Sequence, residues 1–304
     1  MLIAKDGTPV FSRAYGDAHL HPREPNRVDT KFNLASMGKM FTGVAVAQLV
    51  QAGKLRFDDK VVRYVPELPR SFDGITVAEL LDHSSGLGDF FQHAGYLRVQ
   101  PHLTSLRAYL PLIVDEPPVG TPGTSFRYSN SGYVLLGLVI ERASGESYYA
   151  YVQNHVFGPA GMTSTGCLPK NALASNVATG YTGSQLLPNT DTLPPRGTSA
   201  GGCYSTVGDL LRFANALFGH RLLNAGLTRT ITTPKIDSYG YGFGIRRGRP
   251  GDPPTIWHNG GSPGVGGELD MNPGLGYTVA VLCNRDPQHV PPVVDLILNA
   301  LKIP

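Results

Sequence analysis

The chain has 304 residues, a formal net charge of +3 and only 16% charged residues, with no run of like charge. That length buries a sizeable core, in one large domain or in two that share it, and the dilute, mixed charge argues for a small-molecule or peptide substrate and against nucleic acid or a membrane surface. It contains no stretch of 18 apolar residues and does not open with a basic-then-apolar leader, so the chain as given reads as soluble, with no membrane segment and no signal peptide.

The opening "LIAKDGTPVFSRAYG" sets two apolar runs around Asp6-Gly7, which predicts a hairpin at the very start. From Ser36 to Ala52 the residues Met37, Met40, Phe41 and Val44 fall at helical spacing, and Gly53 stands where a helix stops. Thr76 with Glu79 forms a capping box for a short helix ended by Ser84-Ser85-Gly86, and Thr206 with Asp209 opens "VGDLLRFANALF" in the same way. Between them "SGYVLLGLVIERASG" predicts a buried helix over 132–144, closed by Gly145. After residue 239 the runs "YGYGFGIRR", "PTIWH", "GELDMN" and "YTVAVLC" are short strands divided by turn residues, with a last helix over 290–302. Strands at both ends and helices between them predict an α+β fold: an antiparallel sheet built from both termini with flanking helices, plus a mostly helical insertion. The boundaries are 1–60 with 201–304 for the sheet domain and 61–200 for the helical one, with the active site in the cleft between them. Cys167, Cys203 and Cys283 are far apart with no CxxC, which predicts buried thiols and neither a disulfide framework nor a zinc site.

"ASMGKMFTG" places Ser36 and Lys39 three apart at a helix start, on one face and one turn apart, so the amine reaches the hydroxyl. Serine needs a nearby base to act as a nucleophile, and a desolvated lysine supplies one. About 0.5 such pairs are expected by accident in this composition, and the plain alternative is a helix-capping serine with a solvated lysine. Two further pieces shift that balance. "FRYSNSGY" sets Tyr128 and Asn130 in a turn before the buried helix, and "IWHNGGSPG" sets His258, Asn259, Gly260 and Gly261 at the end of a strand. All three in one order have a chance rate of roughly 0.05. Two Gly-x-Ser-x-Gly matches, around Ser199 and Ser262, lack the strand-then-helix context of a nucleophile elbow and read as loop serines. His83, between Asp82 and Ser84, reads as structural, and His19 with His21 as surface histidines without a third metal ligand.

With these residues in place, the sequence resembles the serine β-lactamase and penicillin-binding-protein superfamily, in the branch with class C β-lactamases, D-Ala-D-Ala carboxypeptidases, D-aminopeptidases and family VIII esterases. The similarity runs through "LASMGKMFTGVAVAQLVQAGKLRFDDKVVRYVPELP", "ITVAELLDHSSGL", "PGTSFRYSNSGYVLLGLVIERASG" and "GGCYSTVGDLLRFANAL". The resemblance implies acylation of Ser36, a proton network through Lys39, Tyr128 as general base, and Asn130 holding Lys39 or substrate. It further implies an oxyanion hole from the backbone N–H groups of Ser36 and Gly261, with His258, Asn259 and Gly260 binding substrate and no metal or other cofactor. Where β-lactamases of this kind carry Lys-Thr-Gly, this chain has His258-Asn259-Gly260; a mostly neutral histidine grips a carboxylate less firmly than lysine. The implied activity is a carboxylesterase on short acyl or aryl esters with weak β-lactam hydrolysis; the alternatives are a D-Ala-D-Ala carboxypeptidase or D-aminopeptidase, and a penicillin-binding sensor or non-catalytic relative. The implied partner is a small ester, amide or β-lactam, with no oligomeric state implied. The family's usual first helix and the start of a strand precede the point where this chain begins, which points to a trimmed N-terminus; the location is left open, cytoplasmic for the chain as given or periplasmic if a signal peptide was trimmed with it.

Overall fold

The structure is a computed structural model and describes residues 1–172 and 176–304. Asp6 and Gly7 both take positive φ (50° and 77°), as a tight two-residue hairpin turn requires, and join β1 (Leu2–Lys5) to β2 (Thr8–Ser12). Four C-terminal strands complete the sheet: β3 (Gly244–Arg246), β4 (Thr255–Ser262), β5 (Val265–Asn272) and β6 (Tyr277–Cys283). The order is β2-β1-β6-β5-β4-β3 with every pairing antiparallel, and β1 closes onto β6 with Leu2 opposite Ala280. The sheet is thus built from both termini.

Successive residues of β6 face opposite ways. Ala280 and Leu282 join the main core, while Val279 and Val281 pack under the last helix, Pro291–Leu301, with Val294 and Leu298. On the core face lies α1 (Lys39–Gln51), buried on nearly every side as expected of a central helix. Its Phe41 meets Phe157 and Phe213 edge to face, each at 5.0 Å between centroids. The capping box of Thr76 and Glu79 is complete at α2 (Val77–Leu81). The buried helix α3 spans Asn130–Ser144, two residues earlier than expected, because Ser129 rather than Ser131 caps it; Gly145 ends it at φ 79°. At α4 (Val207–Phe218) Thr206 accepts from the Asp209 N–H. The Asp209 carboxylate is drawn away to Ser164, Thr165 and Arg212, so only half of that box forms.

One expectation is overturned: Cys167 and Cys203 form a disulfide, and only Cys283 is a free thiol. The chain returns through Tyr204, whose N–H and C=O both pair with Gly166, and this brings the two cysteines side by side. Their 36-residue separation leaves no signature in the sequence. Among the described residues no helix is long and apolar enough to cross a membrane.

Candidate active site

Ser36 caps no helix. It sits in a single 3-10 turn, Ala35–Gly38, that leads directly into α1, and no side-chain capping bond exists at either start. The turn is strained, since Ala35 holds φ +41°, and neighbours on all sides fix it. Asn33 Oδ1 accepts from the Ala35 N–H at 2.8 Å, the Ala35 carbonyl accepts from Gly202, and the Cys203 carbonyl accepts from Leu34. Two glycines permit this approach: a Cβ on Gly201 would overlap the Ala35 carbonyl oxygen, and one on Gly260 the Leu34 carbonyl oxygen. Gly260 is thus buried against the nucleophile turn, and lines a smaller cavity with Ser36, Tyr128 and Gly261.

Lys39, the first residue of α1, is fully buried. Its Nζ donates to Asn130 Oδ1 at 2.6 Å, to the Ala200 carbonyl at 2.7 Å and to Ser36 Oγ at 3.2 Å. Desolvation pulls its pKa down to about 7, with the Asp89 carboxylate opposing the fall. Near neutrality a fraction of Lys39 is thus a neutral amine, 3.2 Å from the Ser36 hydroxyl oxygen. The Tyr128 ring lies 4.8 Å from Nζ. Desolvation raises the Tyr128 phenol above its ordinary pKa, and the neighbouring Ser36 hydroxyl works the other way. The residue remains 38% exposed to the cleft, so water tempers that rise.

Asp89 is absent from the sequence pattern yet organises the site. Its Oδ2 accepts from both the backbone N–H (3.1 Å) and the side-chain amide (2.7 Å) of Asn130, which turns Asn130 Oδ1 toward Lys39. His83, as expected, is structural. At φ +64° it accepts from the Ser129 N–H on Nδ1 and stacks on Tyr128 at 4.3 Å. His258 is withdrawn behind Tyr128. Its Nε2 pairs with the Tyr239 hydroxyl at 2.8 Å and its Nδ1 meets the Asn259 carbonyl at 2.6 Å. Burial and the nearby Lys39 charge lower its pKa to about 3. It lines a side cavity of about 300 Å³ with Tyr128, Trp257 and Asn259, not the main cleft.

The main cleft holds about 550 Å³. It brings together Ser36, Tyr128, Asn130 and Gly261 beneath an aromatic wall of Phe90, Phe91 and Tyr96. β3 pairs with β4 only as far as Trp257, so the outer edge of β4 is bare at Asn259–Ser262 and its backbone is open to a ligand. The two Gly-x-Ser-x-Gly serines are not nucleophile elbows: Ser199 is buried in a turn facing Gly137, and Ser262 ends β4 at the hairpin to β5.

The sequence model of the beta-lactamase family matches residues 1–302. The chain belongs to that family. Within this beta-lactamase and penicillin-binding-protein superfamily it is 33% identical to a penicillin-binding protein from Bacillus halodurans, with a TM-score of 0.89 over 97% of this chain and 94% of that one. It is 29% identical over 287 residues to penicillin-binding protein 4* of Bacillus subtilis (strain 168), covering 87% of this chain and 63% of that protein. A D-stereospecific amidohydrolase from Streptomyces sp. shares 26% identity at a TM-score of 0.75, over 85% and 83% of the two chains. The chain spans about three fifths of the length of the first curated relatives it matches.

Proposed function

We propose that the chain is a serine hydrolase that forms an acyl-enzyme on Ser36, most directly a carboxylesterase on short acyl or aryl esters. The observation that carries this reading is the buried Lys39 amine, 3.2 Å from Ser36 Oγ at the edge of an open cleft. In this mechanism neutral Lys39 takes the hydroxyl proton as Oγ attacks the carbonyl carbon. The N–H groups of Ser36 and Gly261 hold the oxyanion. Tyr128, kept protonated by its raised pKa, relays the proton from Lys39 to the leaving oxygen, and water then releases the acyl group by the same steps in reverse. This assigns to Lys39 the base role that the resemblance gave to Tyr128, although the two titrate as a linked pair. Ser36, Lys39 and Gly261 come from segments 1–60 and 201–304, and Tyr128 and Asn130 from 61–200, in keeping with a cleft between a sheet domain and a helical one.

Ester chemistry is favoured over β-lactam or D-Ala-D-Ala hydrolysis because His258, which stands where β-lactamases of this kind carry lysine, is neutral and withdrawn. A D-aminopeptidase must also seat a free ammonium, and no carboxylate among the described residues lines the cleft. The amidohydrolase relative keeps amide cleavage as the second reading. Stopped-flow turnover of p-nitrophenyl acetate and butyrate separates these outcomes. A burst followed by steady release is expected; a burst that stops marks a sensor, and D-amino acid release without ester turnover marks the amidase.

A further inference from the structure

Two cationic side chains, Lys170 and Arg196, line the cleft, and no carboxylate among the described residues lines it with them. Arg196 is half-buried and rigidly held. Its Nε donates to the Cys167 carbonyl at 2.6 Å, and its guanidinium carbon stands 3.3 Å from the centre of the Tyr149 ring. The backbone on either side is tied down too, through Lys170 N–H to the Pro195 carbonyl and the Tyr149 hydroxyl to the Gly197 carbonyl. Among the described residues no acceptor meets Nη1 or Nη2. Of the two other half-buried guanidiniums among the described residues, Arg246 pairs with Asp270 at 2.8 Å and Glu268 at 3.1 Å, whereas Arg285 makes no ion pair and lines no part of the cleft. A partly desolvated cation with a fixed orientation and no counter-charge is costly unless an anion completes it.

A covalent frame links Arg196 to the nucleophile turn. Cys167, whose carbonyl holds Arg196, is bonded to Cys203, whose carbonyl holds Leu34 two residues before the nucleophile. Arg196 and Ser36 therefore line one cleft and are joined through one disulfide-linked frame. We infer that Arg196 is the docking point for a carboxylate on the substrate, gripped by the Nη1 and Nη2 N–H groups of the guanidinium, so that the preferred esters are anionic. This rests on the hydrolase reading and adds the substrate's charge to it. Arg196 lines the main cleft, whereas His258 opens on the side cavity.

The test compares kcat/KM for two matched pairs: p-nitrophenyl hydrogen glutarate against p-nitrophenyl valerate, and 4-acetoxybenzoate against its methyl ester. The first pair carries the anion on the acyl half and the second on the leaving half. The anionic member of one pair is expected to lead by about 10- to 100-fold, the range of a charge-assisted hydrogen-bonded pair, and the lead should shrink with added salt. Arg196→Gln should reduce that ratio to near one, while Arg196→Lys keeps part of it, since charge survives without the fork. The neutral esters report whether each variant is folded. Equal rates within both pairs for the parent enzyme, or a ratio that Arg196→Gln leaves intact, would overturn the anion site. Absence of turnover on all four esters, with Ser36 unlabelled by a fluorophosphonate, would instead defeat the hydrolase reading beneath it.

Discussion

Lys39 is fully buried with three acceptors around Nζ, and this tension between hydrogen bonding and desolvation sets the chemistry. If neutral Lys39 is the base, kcat/KM for a neutral ester rises with pH through about 7 and shows no inflection from His258, which stays uncharged down to about 3. Lys39→Ala and Tyr128→Phe should each cut turnover by at least ~10²-fold; near-normal rates would remove them from the mechanism. Asp89 gives a sharper test, because its carboxylate raises the Lys39 pKa. Asp89→Asn should therefore move the acid limb of the profile to lower pH and lower kcat, since Asn130 exchanges a charged acceptor for a weaker neutral one. A limb that stays put or moves up would show that Asp89 does not act on Lys39.

At the scale of elements, the nucleophile turn is defined by what packs against it. Gly201→Ala forces a side chain into the Ala35 carbonyl at φ +147° and should abolish labelling of Ser36 while the protein stays folded; full activity in this variant would mean that the turn tolerates displacement. The Cys167–Cys203 bond closes a loop of 36 residues of separation. In the chain-entropy account, replacing both cysteines by serine costs about 4 kcal/mol, read from urea unfolding. Equal stability, with three reactive thiols in the denatured unreduced parent, would contradict the bond. These elements also show how far the sequence could be read. Asp6-Gly7, Thr76 with Glu79, and Gly145 announce themselves because their signals are local. The strand read in "PTIWH" runs on through Ser262, because the glycines of "NGGS" let β4 pass close against Leu34. The disulfide, Asp89 and Arg196 stayed hidden because each depends on loops meeting across the fold, not on spacing. Ser36, Lys39, Tyr128 and Asn130 were legible as a set because three short motifs recur in a fixed order, and the structure brings all four together around Lys39 Nζ.

For the whole molecule, burial of uncharged histidine couples stability to pH. Unfolded His258 takes up a proton below about 6.5, whereas the folded residue resists until about 3. The unfolded state therefore binds more protons in that window, and this contribution to stability is lost as pH falls through it. His258→Gln should remove about 2 kcal/mol of the difference in stability between pH 7 and pH 5. An unchanged difference would mean that His258 is charged in the fold. Asp270, raised to about 7 by burial and by Glu268, acts with the opposite sign, since its contribution is lost as pH rises toward 7, so the parent's net profile is flatter than His258 alone would give. The central claim, that a sheet closed from both termini holds one activated serine against Lys39, is tested most directly by incubation with a fluorophosphonate followed by peptide mapping. The account predicts one label, on Ser36, lost in Lys39→Ala; a label on Ser199, Ser262 or any other serine, with Ser36 unmodified, would contradict it.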